Sequence, residues 1–139
     1  MKKNNTEKTN KLIAKALSFK QNGDLINAEI ILKDVLKLDS NNFIALNNIG
    51  NIYSAQNELK KAKIFFSKAI NIKHNYSNAI FNLALVNEEM GNKEEAIKFY
   101  KDAIKYDQDN LGIYYNLSRI DDGFFLDNKI KKIKEIIKK

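Results

Sequence analysis

Three asparagines, Asn48, Asn82 and Asn116, stand 34 residues apart, with Asn47, Asn51 and Asn78 close by. A primary amide presents a donor and an acceptor side by side, so it can pair with the N–H and C=O of one extended peptide residue whatever that residue's side chain. Neighbouring columns at the same period hold other groups. Phe81 and Tyr115 share one with Ile13 and Asn47, and Leu85 shares one with Leu17, Asn51 and Arg119. Such side chains suit pockets beside polar rungs, or packing between helices. The chemistry is that of recognition. No catalytic residue emerges: the single His, His74, falls in a predicted loop with no Cys, Ser or carboxylate placed to act with it. Without Cys and with one His, neither a thiolate nor a histidine metal site can be assembled. No glycine loop of the phosphate-cradling kind is present, and no cofactor is expected.

These residues need repeated elements to hold them. Ala28, Ala62 and Ala96 recur at the same spacing, as do Leu32, Phe66 and Tyr100, and Ala16, Gly50, Ala84 and Ser118. A repeat of this length means stacked supersecondary units, none able to bury its apolar face alone. Each unit shows two apolar runs at helical spacing, such as Leu46 to Tyr53 and Leu59 to Ile72. Asn22-Gly23-Asp24, Gln56-Asn57 and Gly91-Asn92 break the units internally, and Asp39-Ser40-Asn41-Asn42 separates the first unit from the second. With no Pro and five Gly, little is left for the turns of a β fold. The prediction is an all-α, single-domain chain of antiparallel pairs, a helix A and a helix B in each. Residues 1–8 read as a basic lead, 9–42, 43–76 and 77–110 as three full repeats, 111–126 as a partial fourth and 127–139 as a basic capping helix. Gly50 and Ala62 are expected to let helix axes approach within about 8–10 Å, with Tyr53 and Phe66 filling the space beside them. In the fourth unit Asp121-Asp122-Gly123 is expected to end the first helix early and Phe124-Phe125-Leu126 to form an apolar clip. Asp127 would then cap a last helix through Ile130, Ile133, Ile136 and Ile137.

The net charge of +7 points toward nucleic acid until it is placed along the chain. Residues 1–11 carry four Lys and one Glu, and residues 129–139 carry six Lys and one Glu, which leaves the body between them at −1. Basic ends of this kind read as solvated faces, so no nucleic-acid partner is expected. The opening MKKNNTEKTN has no apolar core, which argues against a signal peptide or membrane anchor; no membrane insertion and a cytoplasmic location are expected. The Ile-and-Lys helix at the end lacks Trp and a broad apolar face, so it reads as a cap for an open stack.

The columns resemble the tetratricopeptide repeat, whose aromatic, Leu, Gly, Tyr, Ala, Phe and Pro positions correspond to Leu46, Ile49, Gly50, Tyr53, Ala62, Phe66 and His74. The match runs from Thr9 to about Asp121. His74, Ser40 and Gln108 stand where the family usually has Pro, which loosens the turns between repeats. Asn87 replaces the Tyr53-type aromatic, a softer joint in the third unit. The resemblance implies a right-handed superhelix with the A helices lining a concave groove, and it implies partner binding over catalysis. Asn47, Asn48, Asn51, Asn78, Phe81, Asn82, Leu85, Tyr115, Asn116 and Arg119 would line that groove. The Asn48 column is similar to the asparagine ladder in the repeat arrays of O-linked N-acetylglucosamine transferases. Ala14 limits it to three rungs. Rungs about 10 Å apart would meet about every third residue of a strand rising 3.3 Å per residue. The family's carboxylate clamp wants Lys and Asn on one A helix, Asn on the next, and Lys and Arg on the third. Here those sites read Ile13 and Leu17, Asn48, then Asn78 and Asn82, or one repeat on, Asn47 and Asn51, Asn82, then Gly112 and Asn116. Neither frame supplies the cations, so tail binding of that kind is disfavoured. The expected partner is a protein or peptide, bound as an extended segment. The second reading is a dimerising or docking arm of a larger bacterial enzyme system. NLSRI followed by an Ile/Lys helix is similar to the end of repeat arrays that continue into sulfotransferase-like domains. That reading uses surfaces outside the groove and allows a homo-oligomer.

Overall fold

The computed structural model describes residues 2–138, and the side chains of all of these except 124–130 and 132. Eight α-helices and no strands are found among them. They fall into two compact units, Met1–His74 and Asn75–Lys139. The first unit holds α1 (Lys2–Gln21), α2 (Leu25–Leu38), α3 (Phe43–Ala55) and α4 (Leu59–Ile72). The second holds α5 (Ser77–Glu89), α6 (Lys93–Tyr106), α7 (Leu111–Ile120) and α8 (Asp122–Ile137).

The turn inside each of the first three hairpins is built three times over in the same way. Gly23, Asn57 and Gly91 lie 34 residues apart and all adopt left-handed backbone, with φ of 81°, 61° and 82°. At each, the N–H one residue further on reaches back five residues, Asp24 to Phe19, Glu58 to Tyr53 and Asn92 to Asn87, at 2.8–2.9 Å. The left-handed residue's own N–H bonds the carbonyl three back. This is the Schellman closure, which satisfies orphan carbonyls at a helix end and needs a residue tolerant of positive φ. Between hairpins, Asn42 and Asn110 cap α3 and α7 by accepting from the backbone N–H of Ala45 and Gly112. They sit two residues after Ser40 and Gln108, so a side-chain cap supplies order where the usual Pro is missing. Tyr76, the residue before α5, makes no side-chain cap.

The small and large columns form the core. Ala28, Ala62 and Ala96 are fully buried, as are Leu32, Phe66 and Tyr100. A Cβ built on Gly50 would lie 2.5 Å from Cε1 of Phe66, so it is the Phe66 ring itself that fills the space Gly50 vacates. Glycine is required there by contact, since the helix would otherwise prefer Ala.

Two expected boundaries move. Residues 2–8 form the first turns of α1 and are no separate lead. No Gly or Pro interrupts them, Glu7 pairs with Lys11 one turn on, and Thr6 and Thr9 hydroxyls donate to the carbonyls of Lys2 and Thr6. Thr9 is buried, and Lys2, Asn5, Thr6 and Thr9 flank a polar cleft opposite Leu38, Asp39 and Asn42. At the other end α8 starts at Asp122, directly after Asp121, so Asp127 lies inside the helix and not at its start. The column of Gly23, Asn57 and Gly91 reaches Phe125 in the fourth unit, a residue that resists the positive φ the Schellman closure needs. Side-chain contacts of the Phe124–Leu126 clip, and of Ile130, lie outside the described residues.

Candidate functional site

Each A helix carries its share of the expected site. Asn47, Asn48 and Asn51 are on α3; Asn78, Phe81, Asn82 and Leu85 on α5; Tyr115, Asn116 and Arg119 on α7. They differ in accessibility. Asn47 and Asn48 are buried, at 5% and 8% exposure, whereas Tyr115 is 64% exposed. Asn51, Phe81, Asn82, Leu85 and Asn116 are half-buried, and Asn78 and Arg119 are exposed.

The helix fixes the amides locally. Asn48 Nδ2 donates to the carbonyl of Ile44 and Asn116 Nδ2 to that of Gly112, both at 2.9 Å and both four residues back. In each, one donor is committed to the helix and the rest of the amide keeps a fixed aim. Asn87 makes the same bond to Leu83, but its Oδ1 also accepts from Asn92 Nδ2 and the residue is wholly enclosed. It is a core asparagine that closes its own hydrogen bonds where the aromatic of the Tyr53 column is missing.

Within the second unit, the structure brings α5 and α7 together through polar groups. Arg119 pairs with Glu88 Oε1 and also donates to Asn116 Oδ1 at 3.2 Å. Glu88 Oε2 accepts from the Tyr100 hydroxyl at 2.7 Å. Burial first, and then the Glu88 carboxylate, push the Tyr100 phenol far above its ordinary range. Phe81 packs on the Tyr100 ring, with centroids 5.9 Å apart. This four-residue network was not foreseen, because Glu88 and Arg119 are 31 residues apart and no column links them. Asp121, expected as an acid at the end of an A helix, is paired with Lys101 at 3.0 Å.

The first unit has a counterpart. The Tyr53 hydroxyl donates to Glu29 Oε1 at 2.6 Å, and Lys33 pairs with the same oxygen. Lys61 lies 5.3 Å from the Tyr53 ring centre. The Lys33 ammonium and the Tyr53 hydroxyl both hold the Glu29 carboxyl below its ordinary value. Among the described residues no group of three or more His, Asp and Glu is placed to hold a metal ion, and no helix is long and apolar enough to cross a membrane.

Helical hairpins closed by one recurring turn, with small-into-large packing at a fixed period, define an α-hairpin repeat protein. Residues 44–76 and 77–110 each match the tetratricopeptide repeat family model, and the chain is a tetratricopeptide repeat protein. No curated protein matches it by sequence. Among solved structures, the first repeat domain of Spaghetti bound to an HSP90 peptide is similar at 18% identity, with a TM-score of 0.80 over 85% of this chain and 96% of that one. The Sgt2 repeat domain of Aspergillus fumigatus is 20% identical, TM-score 0.77, over 95% and 83%. The O-GlcNAc transferase of Thermobaculum terrenum is 19% identical, TM-score 0.77, over 81% of this chain but only 22% of that enzyme. At these identities the likeness is one of fold.

Proposed function

We propose that this chain is a protein-interaction module that holds an extended segment of a partner protein along α5 and α7 of its second unit by that segment's backbone. The observation that carries the reading is the tethering of Asn116. Its Nδ2 donates at 2.9 Å to the fourth carbonyl back and its Oδ1 accepts from Arg119, so the amide's second hydrogen and free lone pair keep a fixed aim toward an incoming peptide group. On the second unit, Asn82 and Asn116 act as rungs, while Phe81, Leu85 and Tyr115 give apolar contact beside them and Arg119 is held by Glu88 and Asn116. The Spaghetti domain, of the same fold, is seen with an HSP90 peptide. Here the clamp's cation positions hold Ile13, Asn78 and Asn82, or one repeat on, Asn47, Gly112 and Asn116, so the partner is gripped along its chain and not by a terminal carboxylate.

Backbone recognition has its own signature on a peptide array of unrelated sequences. The variant N82A/N116A weakens the binding peptides by about tenfold, and by a similar factor whatever their side chains, with thermal unfolding unchanged. Undiminished binding by this variant removes the proposal.

A further inference from the structure

A second surface lies at the end of the second unit. Between α7 and α8 is an apolar cleft of about 320 Å³ walled by Leu111, Tyr114, Tyr115, Ile133, Ile136 and Ile137. Its rim is left to solvent: Leu111 is 51% exposed and Ile137 77%. Large apolar side chains grouped around a concave surface mark a binding site more often than a bare surface. The helix that forms one wall is strongly cationic. Residues 129–139 hold six Lys and one Glu, and Lys131, Lys134 and Lys138 are exposed beside the isoleucines. Among the described residues, Asp109 and Glu135 lie close enough to Tyr114 to act with burial in raising its phenol pKa. Two carboxylates do not offset the lysines, so the rim keeps a positive sign.

We infer that this cleft docks a partner segment in which a bulky apolar side chain is flanked by acidic residues. The apolar group fills the space against Ile133, Ile136 and Ile137, and the carboxylates meet Lys131, Lys134 and Lys138. Apolar burial supplies the anchor, and charge supplies selectivity and speed of association. The surface is separate from the asparagine rungs of α5 and α7, with Tyr115 bordering both.

The probe is a fluorescein-labelled peptide, EDEDFLEDED, titrated with the full chain and read by anisotropy. Controls replace its FL by SS, or its acids by Lys. Binding is expected for the first peptide, about tenfold weaker for the serine control, and absent for the lysine control. Added salt weakens it. Ile137→Ser lowers affinity about tenfold with an unchanged melting temperature, since the side chain is already 77% exposed. K134E/K138E lowers it without touching the apolar wall, and decides the matter if Ile137→Ser melts early. N82A/N116A leaves this probe unaffected, which separates failure here from failure of the peptide-rung reading. Equal binding of the serine control, full affinity in K134E/K138E, or binding to phosphatidylserine vesicles with none to the peptide overturns the inference.

Discussion

The hairpins α3–α4 and α5–α6 share a period and a fold, yet they place their buried tyrosine in different columns. In the first, Tyr53 is on helix A opposite Phe66 on helix B; in the second, helix A has Asn87 and helix B has Tyr100. In both, the tyrosine ring packs on a phenylalanine, Phe65 or Phe81, and the phenol donates to a glutamate that also holds a cation. Tyr53 meets Glu29 with Lys33, and Tyr100 meets Glu88 with Arg119. The tie is conserved in chemistry and moved in position. The repeat thus specifies volume column by column, while a buried hydroxyl must find an acceptor wherever the local sequence offers one.

The comparison breaks most sharply at the small column. Gly50→Ala places a Cβ 2.5 Å from a buried ring, and the expected loss is about 1–3 kcal/mol in urea unfolding despite the better helix propensity of Ala. Adding Phe66→Leu, the residue of the Leu32 column, restores part of it. If the single variant is as stable as the parent, the contact is not what demands glycine.

Removing each phenol sharpens the comparison further. Tyr100→Phe is expected to cost about 1–2 kcal/mol, because it leaves Glu88 with one donor fewer in a mostly buried place, and Tyr53→Phe less. Both phenols have raised pKa values in the folded chain, Tyr53 chiefly through its bond to Glu29 and Tyr100 chiefly through burial. A raised phenol is favoured neutral in the fold, so its contribution is complete below 10 and drains as pH climbs past that value. Alkaline melting temperature should therefore fall less steeply in each Phe variant than in the parent. Glu29 has the opposite sign: its lowered pKa contributes above its ordinary 4.5, and the contribution disappears as pH falls below that.

The smallest effect is at the turns. Asn57→Gly is expected to stabilise by a few tenths up to about 1 kcal/mol, since Asn57 holds φ of 61° that glycine adopts freely. A lower melting temperature would show that the Asn side chain, not its backbone tolerance, secures that turn.

Much of this was legible in the chain itself. The period, the helix pairs, the buried Ala and aromatic columns and the turns at Gly23, Asn57 and Gly91 all follow from side-chain size and backbone tolerance, which are local properties. What was not legible depends on three dimensions. The early start of α1 at Lys2 rests on Thr9 being buried and on the polar cleft it flanks, and the start of α8 at Asp122 on a turn that Phe125 resists. The Glu88–Arg119–Tyr100 cluster joins three helices at unrelated spacings. The equal rungs expected of the asparagines are also unequal in exposure, because Asn48 is enclosed while Asn116 is open to solvent at one side.

The 34 residues beginning at Asn42 bring a starting cap, a reversal at Asn57 and both walls of a buried seam, so a gene duplication of that stretch would insert a hairpin that closes itself. Copying the stretch from Asn110 onward would not, because its helices meet at Asp121 with no residue suited to the reversal. The α7–α8 junction is in this sense set apart from the three hairpin turns before it by one backbone position.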